Sequence, residues 1–292
     1  MSRNIENILK ILIIIVFICF IYVGSIYIKV NIENSSKEDL GVFNEIENAT
    51  YNEENNTINY DSPSMKLNIE KVTKTNPSLN MWIVDIKLES SSQIKSAFAG
   101  DKFSLSKKER TSDIAKRHNA ILAVNGAAAG FNKKSYVIRD GIVYRDTRLD
   151  CDPLVIQEDG DFRIYSDQFT GEELIEKGAK HTYDFGPDLI RSGKIVDYGD
   201  TWFKVEKAPR TAIGQKGPLE YVIIVVDGRS KESVGISLYD LAVELQNRGC
   251  YWGYNLDGGG STTLYFNGKV LNNPSDWDGE RKISDILYFD DL

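Results

Sequence analysis

The chain has 292 residues, is 41% hydrophobic and carries a formal net charge of −8. That length suits one large domain or two small ones with a real apolar core, and the acidic balance without a basic stripe excludes a nucleic-acid partner. The only histidines are His118 and His181, so a His-rich zinc centre is excluded, and any Ser-His-Asp arrangement must use one of these two.

Ile8 to Ile28 is almost unbroken Ile, Leu, Val and Phe. Such a run reaches the ~20 residues that span a bilayer. Arg3 and Lys10 lie on its N-terminal side, which predicts a cytoplasmic N-terminus and a body outside the membrane. No Ala-x-Ala site follows, so an uncleaved signal anchor over 1–28 is expected rather than a signal peptide. Residues 29–63 are rich in Asn, Glu and Ser, as in Glu53-Glu54-Asn55-Asn56, and read as a flexible stalk whose removal should leave the fold intact. A single domain is expected over 64–292.

Met65 to Val72 and Met81 to Leu88 alternate apolar and polar residues, as half-buried strands do. Ser106 to Asn119 reads as a helix. Ala120 to Val124 is a buried strand running into Asn125-Gly126. Asp140-Gly141 and Asp159-Gly160 each sit between short apolar runs and predict hairpins. Tyr221 to Val226 is a wholly apolar strand ending at Asp227-Gly228-Arg229. Ser237 is placed to cap a helix, Leu238 to Arg248, with Gly249 at its end. Ile286 to Phe289 is the last strand. The class expected is α+β, a mixed β-sheet core with a few packed helices, preceded by one transmembrane helix. Cys151 and Cys250 are compatible with a disulfide or with two isolated thiols.

The most informative stretch is Tyr251 to Phe266. An aromatic strand meets Asp257, then Gly258, Gly259 and Gly260, then Ser261, Thr262 and Thr263, and becomes strand again. Glycines weaken a strand and are tolerated where backbone turns sharply or a ligand comes close. An acid followed by free N–H groups can hold a hydroxyl, a phosphate or a cation. The run is not a Walker loop, since no Lys follows it, and Ser261 lacks the Gly-x-Ser-x-Gly frame. Three apolar strands thus end at Asn125, Asp227 and Asp257. In one sheet with their ends together, these residues would converge beside Arg210 into a site.

These segments carry a resemblance. Ala123-Val124-Asn125-Gly126, Phe185-Gly186-Pro187, Pro209 to Gly214, Val226 to Arg229, Asn255 to Thr263 and Pro274-Ser275-Asp276 match, in order and spacing, the pattern of the phosphodiester glycosidase family over roughly 65–290. One departure is Asn125-Gly126-Ala127-Ala128-Ala129-Gly130-Phe131, where the family usually reads Asn-Gly-Gly followed by aromatics. The resemblance implies a hydrolase of glycosyl-1-phosphodiesters with a carbohydrate phosphodiester as partner. Asp257 and Asp227 are then the leading catalytic carboxylates, with Glu280 behind them and Arg210 neutralising the phosphate. Asn125, Gly126, Arg229, Gly258, Gly259, Gly260, Ser261 and Asp276 are expected to bind substrate. No cofactor is required, although Ca²⁺ or Mg²⁺ on Asp227, Asp257 and Asn125 is an alternative. Bacterial members are often surface proteins, which agrees with a body held outside the cell membrane. The rival class is a non-catalytic surface module that binds a phosphorylated envelope polysaccharide.

Overall fold

The computed structural model describes residues 42–131, 133–147, 151–199 and 202–292. The expected anchor and residues 29–41 of the expected stalk lie outside the described residues. Among the described residues, no helix is long and apolar enough to cross a membrane. The chain divides into two compact units, Met1–Tyr51 and Asn52–Leu292. In the first, a 3-10 turn over Val42–Glu45 precedes the start of β1 (Ala49–Asn52), and the Tyr51 N–H donates to Asn44 Oδ1 at 2.7 Å.

The larger unit opens with β2 (Thr57–Asp61), β3 (Met65–Thr75), β4 (Ser78–Leu88), β5 (Ile94–Phe98), helix α1 (Thr111–Arg117) and β6 (Leu122–Asn125). It continues with β7 (Ser135–Arg139), β8 (Ile142–Thr147), β9 (Leu154–Gln157), β10 (Phe162–Ile164), α2 (Gly171–Glu176), β11 (Ala179–Tyr183), β12 (Asp188–Arg191), β13 (Lys194–Ile195) and α3 (Trp202–Val205). The last part comprises β14 (Arg210–Gly217), β15 (Glu220–Val226), α4 (Leu238–Asn247), β16 (Trp252–Asn255), β17 (Leu264–Phe266), β18 (Lys269–Val270) and β19 (Asp285–Phe289).

The main sheet runs β2-β3-β4-β15-β14-β16-β12-β13, and a second runs β18-β17-β6-β19-β5. Among the described residues every strand pairing within this unit is antiparallel, where a mixed sheet was expected. The connection through α4 does cross over, but β14 lies between β15 and β16, so the two strands it joins share a direction without pairing.

Layering explains the strand patterns. Val222, Ile224 and Val226 face α4 and meet Leu238, Leu241, Ala242 and Leu245. The alternate residues face the second sheet, where the Tyr221 ring lies 6.3 Å from that of Phe289. A strand covered on both faces loses its alternation, which is why 221–226 is apolar throughout. Helix α1 covers the outer face of the second sheet through Ile114 and Ala115. Local expectations hold at the helix ends. Ser237 accepts from the Asp240 N–H at 3.0 Å, and Gly249 takes φ +79 beyond α4. The predicted helix over 106–119 is shorter, because Glu109 bridges Ile283 in a strand-like pairing and helix begins only at Thr111. Cys151 and Cys250 are both free thiols, and burial pushes each up to about 12.

The sheet also begins earlier than the stalk was expected to end. β2 pairs with β3 along its whole length, and Ile58 and Tyr60 are buried. A five-residue strand with two inward side chains gives too weak a compositional signal to stand out from its polar surroundings. Burial of two such side chains contributes on the order of 3 kcal/mol or more. Deleting Thr57–Asp61 should therefore lower the thermal midpoint by roughly 6–12 °C in a circular-dichroism melt. An unchanged midpoint would show that β2 adds nothing to the sheet.

His181 on β11 is fully buried, and it is not a site residue. Its Nδ1 accepts from the Asp140 N–H at 3.3 Å. Burial, with Arg139 and Lys180 nearby, pushes its pKa down to about 3. The folded state thus binds the proton less well than the unfolded chain, whose histidine titrates near ~6.5. The resulting stability is present above ~6.5 and lost as pH falls from there towards 3. Between pH 7 and 4.5, urea midpoints should fall less for His181→Gln than for the parent chain. Parallel curves would refute the linkage.

Candidate active site

Three backbone segments meet at one edge of the main sheet. β15 and β16 run in the same direction and end at Asp227 and Asp257, and β14, antiparallel to both, starts there with Arg210. Register places Arg210 opposite Val226 and Ala212 opposite Asn255, so Arg210 shares the Val226 face of the sheet, where its charged neighbours are Glu206 and Arg229. Register thus brings the backbones of Asp227, Asp257 and Arg210 to the same strand ends, with Arg210 packed beside Gly258. Asn125 reaches the same place from the other sheet, at the end of β6.

Asn125 is fully buried and committed to the protein itself. Its Nδ2 donates to the Asp257 carbonyl at 2.6 Å, and its Oδ1 accepts from Thr211 Oγ1 at 2.8 Å and the Thr263 N–H at 3.2 Å. It clamps the two sheets together, and its oxygen is not available to a sugar hydroxyl or a cation. Among the described residues no group of three His, Cys, Asp or Glu side chains could hold a metal ion.

Asp257 is partly exposed, and burial still raises its carboxyl above the ordinary carboxylate value. The Gly258 N–H, donating to Oδ1 at 2.8 Å, and Arg281 oppose that rise. The buried Ser261 hydroxyl also opposes it, although it closes no hydrogen bond of normal geometry. Asp227 is 7% exposed. Burial raises it too, against the Asn273 N–H at 2.9 Å and Asn272 Nδ2 at 3.1 Å, both on Oδ1. Asp227 is therefore the more tied down of the two.

The glycine run lies under a ring of arginines. A Cβ on Gly259 would come within 3.0 Å of Arg229 Nη2, and one on Gly260 would overlap Asp276 Oδ1 and Arg281 Nη2. Arg229 is exposed, with a left-handed φ of +62 that aims it back over the run. Arg210 is half-buried. Burial lowers its pKa, Glu206 opposes, and Arg229 adds to the lowering. The backbone N–H groups do less than expected. Those of Gly258, Gly259 and Ser261 donate to Asp257 Oδ1, to the Pro209 carbonyl and to the Gly258 carbonyl.

Two expected residues are held by protein partners. Asp276 takes a two-point bond from Arg281 at 2.8 and 2.9 Å. Glu280 accepts from the Ser112 N–H at 3.0 Å and its hydroxyl at 2.6 Å, which caps the first turn of α1. Gly126 is packed too closely against Asp285 to face a ligand.

What marks the site is a set of buried polar atoms without partners. Among the described residues, Arg210 Nε and the hydroxyls of Ser261, Thr262, Thr263 and Ser275 are buried and close no hydrogen bond of normal geometry. Leaving such groups unsatisfied costs about 1–3 kcal/mol each, so a cluster on one loop points to a polar ligand or ordered water. Two residues escaped sequence reasoning. Arg281 is visible only through its contact with Gly260, and Asp285 is a buried acid inside a strand.

The profile of the phosphodiester glycosidase family matches residues 118–290, more than half of the chain. The chain belongs to the phosphodiester glycosidase family. It is 35% identical over 196 residues to the uncharacterized SPbeta prophage-derived protein YomE of Bacillus subtilis, covering 63% of this chain and 30% of YomE. It is 34% identical over 84 residues to the N-acetylglucosamine-1-phosphodiester alpha-N-acetylglucosaminidase of Bos taurus, 27% of this chain and 16% of that protein. The chain thus spans less than a third of the length of these curated relatives. The auto-inhibited catalytic domain of the zebrafish N-acetylglucosamine-1-phosphodiester alpha-N-acetylglucosaminidase shares the fold. That likeness has a TM-score of 0.66 at 21% identity, over 80% of this chain and 85% of that one.

Proposed function

We propose that this phosphodiester glycosidase family member is a membrane-anchored, extracytoplasmic hydrolase that cleaves the sugar C1–oxygen bond of a glycosyl-1-phosphodiester in a cell-envelope polymer. The observation that carries the reading is the set of buried polar atoms without a partner on Arg210 Nε and on the Ser261, Thr262 and Thr263 hydroxyls that follow Asp257. A phosphate monoester leaves readily, so a strong general acid matters less than for an ordinary glycoside. Arg210 and Arg229 neutralise charge at the phosphate as it leaves. Asp257, at the end of a rigid strand, takes a proton from water or stabilises positive charge at the anomeric carbon. Water supplies oxygen to C1, the C1–oxygen bond breaks, and the phosphate departs as a monoester.

Product analysis on a panel of glycosyl-1-phosphodiesters tests the chemistry. Free sugar with a phosphate monoester is the expected result, and release of a sugar phosphate would mean phosphodiesterase chemistry instead. Protease treatment of intact cells tests the location, since an anchored body outside the membrane is removed. Appearance of the body in the medium without residue 1 would defeat the anchor.

A further inference from the structure

We propose that the buried Arg139–Asp285 pair is a positioning element of this site, holding the Gly126–Gly130 segment against the backbone of Asp257. The role of Asp257 in this inference rests on the function proposed above. The contacts do not.

Asp285 opens β19 and is 1% exposed, and Arg139 closes β7 and is 4% exposed. Arg139 Nη2 donates to Asp285 Oδ2 at 2.9 Å. The same guanidinium is fixed by the carbonyls of Ile138 and Thr182, and it lies 4.5 Å from the Tyr183 ring centroid. The remaining acceptor capacity of Asp285 goes to the 126–130 segment. The Ala129 N–H donates to Oδ1 at 3.0 Å, the Ala127 N–H to Oδ2 at 3.3 Å, and Ser284 Oγ to Oδ1 at 2.7 Å. Ser284 Oγ in turn accepts from the Gly130 N–H at 2.9 Å. The Gly126 N–H donates to the Asp285 carbonyl at 2.8 Å, and no side chain fits at position 126 without striking the carboxylate.

The far side of this segment touches the site directly. The Gly126 carbonyl accepts from the Asp257 N–H at 3.2 Å. A continuous path therefore runs from Arg139 through Asp285 and Gly126 to Asp257. Ala128 is held in a left-handed conformation, φ +56, that an unconstrained alanine disfavours, so something must impose it. A carboxylate that takes the N–H groups on both sides of Ala128 does so. A buried ion pair is weak evidence for stability, because desolvation offsets the attraction. Its use here is geometric: a planar fork on a carboxylate fixes direction as well as distance.

Asp285 also faces Asp257 electrically. Its negative charge adds to the rise of the Asp257 carboxyl, which burial causes in the main and which Ser261, Gly258 and Arg281 oppose. Asp227 lacks this influence and feels Lys71 instead. Neutralising Asp285 should therefore move Asp257 and leave Asp227 in place.

The test uses the whole chain with ¹³C-labelled aspartate carboxyls, and it reads titration by NMR without reference to turnover. In Asp285→Asn the midpoint of Asp257 should fall while that of Asp227 stays fixed. Exchange protection of the Ala127 and Ala129 amides should drop about tenfold or more. Because Asp285→Asn strands Arg139 and can unfold the protein, Arg139→Met with Asp285→Asn provides a second variant with both charges gone. An unmoved Asp257 with protected Ala127 and Ala129 amides in a folded variant would overturn the proposal. So would equal shifts of Asp257 and Asp227, which would show a general loosening. If these shifts appear as expected but the parent chain releases no sugar from any phosphodiester, the positioning stands and the proposed reaction falls.

Discussion

Asp257→Asn should reduce turnover by on the order of 10²-fold or more while leaving the melting curve in place. The residue follows a fully buried strand end, Tyr254-Asn255-Leu256, so its Cα is fixed. Asn125 and Gly126 grip its carbonyl and N–H from the other sheet. An amide of the same shape can accept the Gly258 N–H as the carboxylate does, so local structure survives. It cannot take a proton from water or balance charge at an anomeric carbon. Burial raises the Asp257 carboxyl, so the acid limb of the parent pH–rate profile should lie above the ordinary aspartate value of 3.8. Activity is lost as pH falls through that raised value, because the working form is the carboxylate. A folded Asp257→Asn variant with parental turnover would shift the role to Asp227.

The second large effect is expected at Arg210. Arg210→Met should cost roughly 10²–10³ in kcat, the range seen when one preorganised donor to a developing anion is removed. The direction of the stability change separates a site residue from a structural one. Among the described residues Arg210 Nε is buried without a partner, and Nη2 makes a long 3.4 Å contact to the Glu206 carbonyl. The folded protein gains little from this half-buried cation, and Arg229 adds to the burden. Replacement by Met should hold or raise the thermal midpoint while activity collapses, the trade-off typical of sites. Arg210→Lys should recover only part of the loss, since a point charge lacks the planar fork. A midpoint drop of several degrees with turnover retained would make Arg210 a structural residue.

Much of the fold was legible because its signals are local. Alternation over 65–72 and 81–88, the Asp140-Gly141 turn with both φ values positive, and the Ser237 cap each depend on neighbours a few residues apart. So does the ending of apolar strands just before Asp227 and Asp257. Partnership is another matter. That Asn125 belongs to the second sheet and clamps Asp257, and that Ser112 holds Glu280, are set by contacts between segments far apart in sequence. No periodicity encodes them. The Gly259 donor was misjudged for the same reason, since its acceptor, the Pro209 carbonyl, arrives from β14's approach. Asp285 shows the limit most plainly. Within Ile283-Ser284-Asp285-Ile286 it reads as an ordinary polar residue at the edge of an apolar strand. Only when β7 delivers Arg139 to the same buried point does the acid become affordable, because a buried carboxylate persists only with a charged partner and donors to fill its remaining lone pairs.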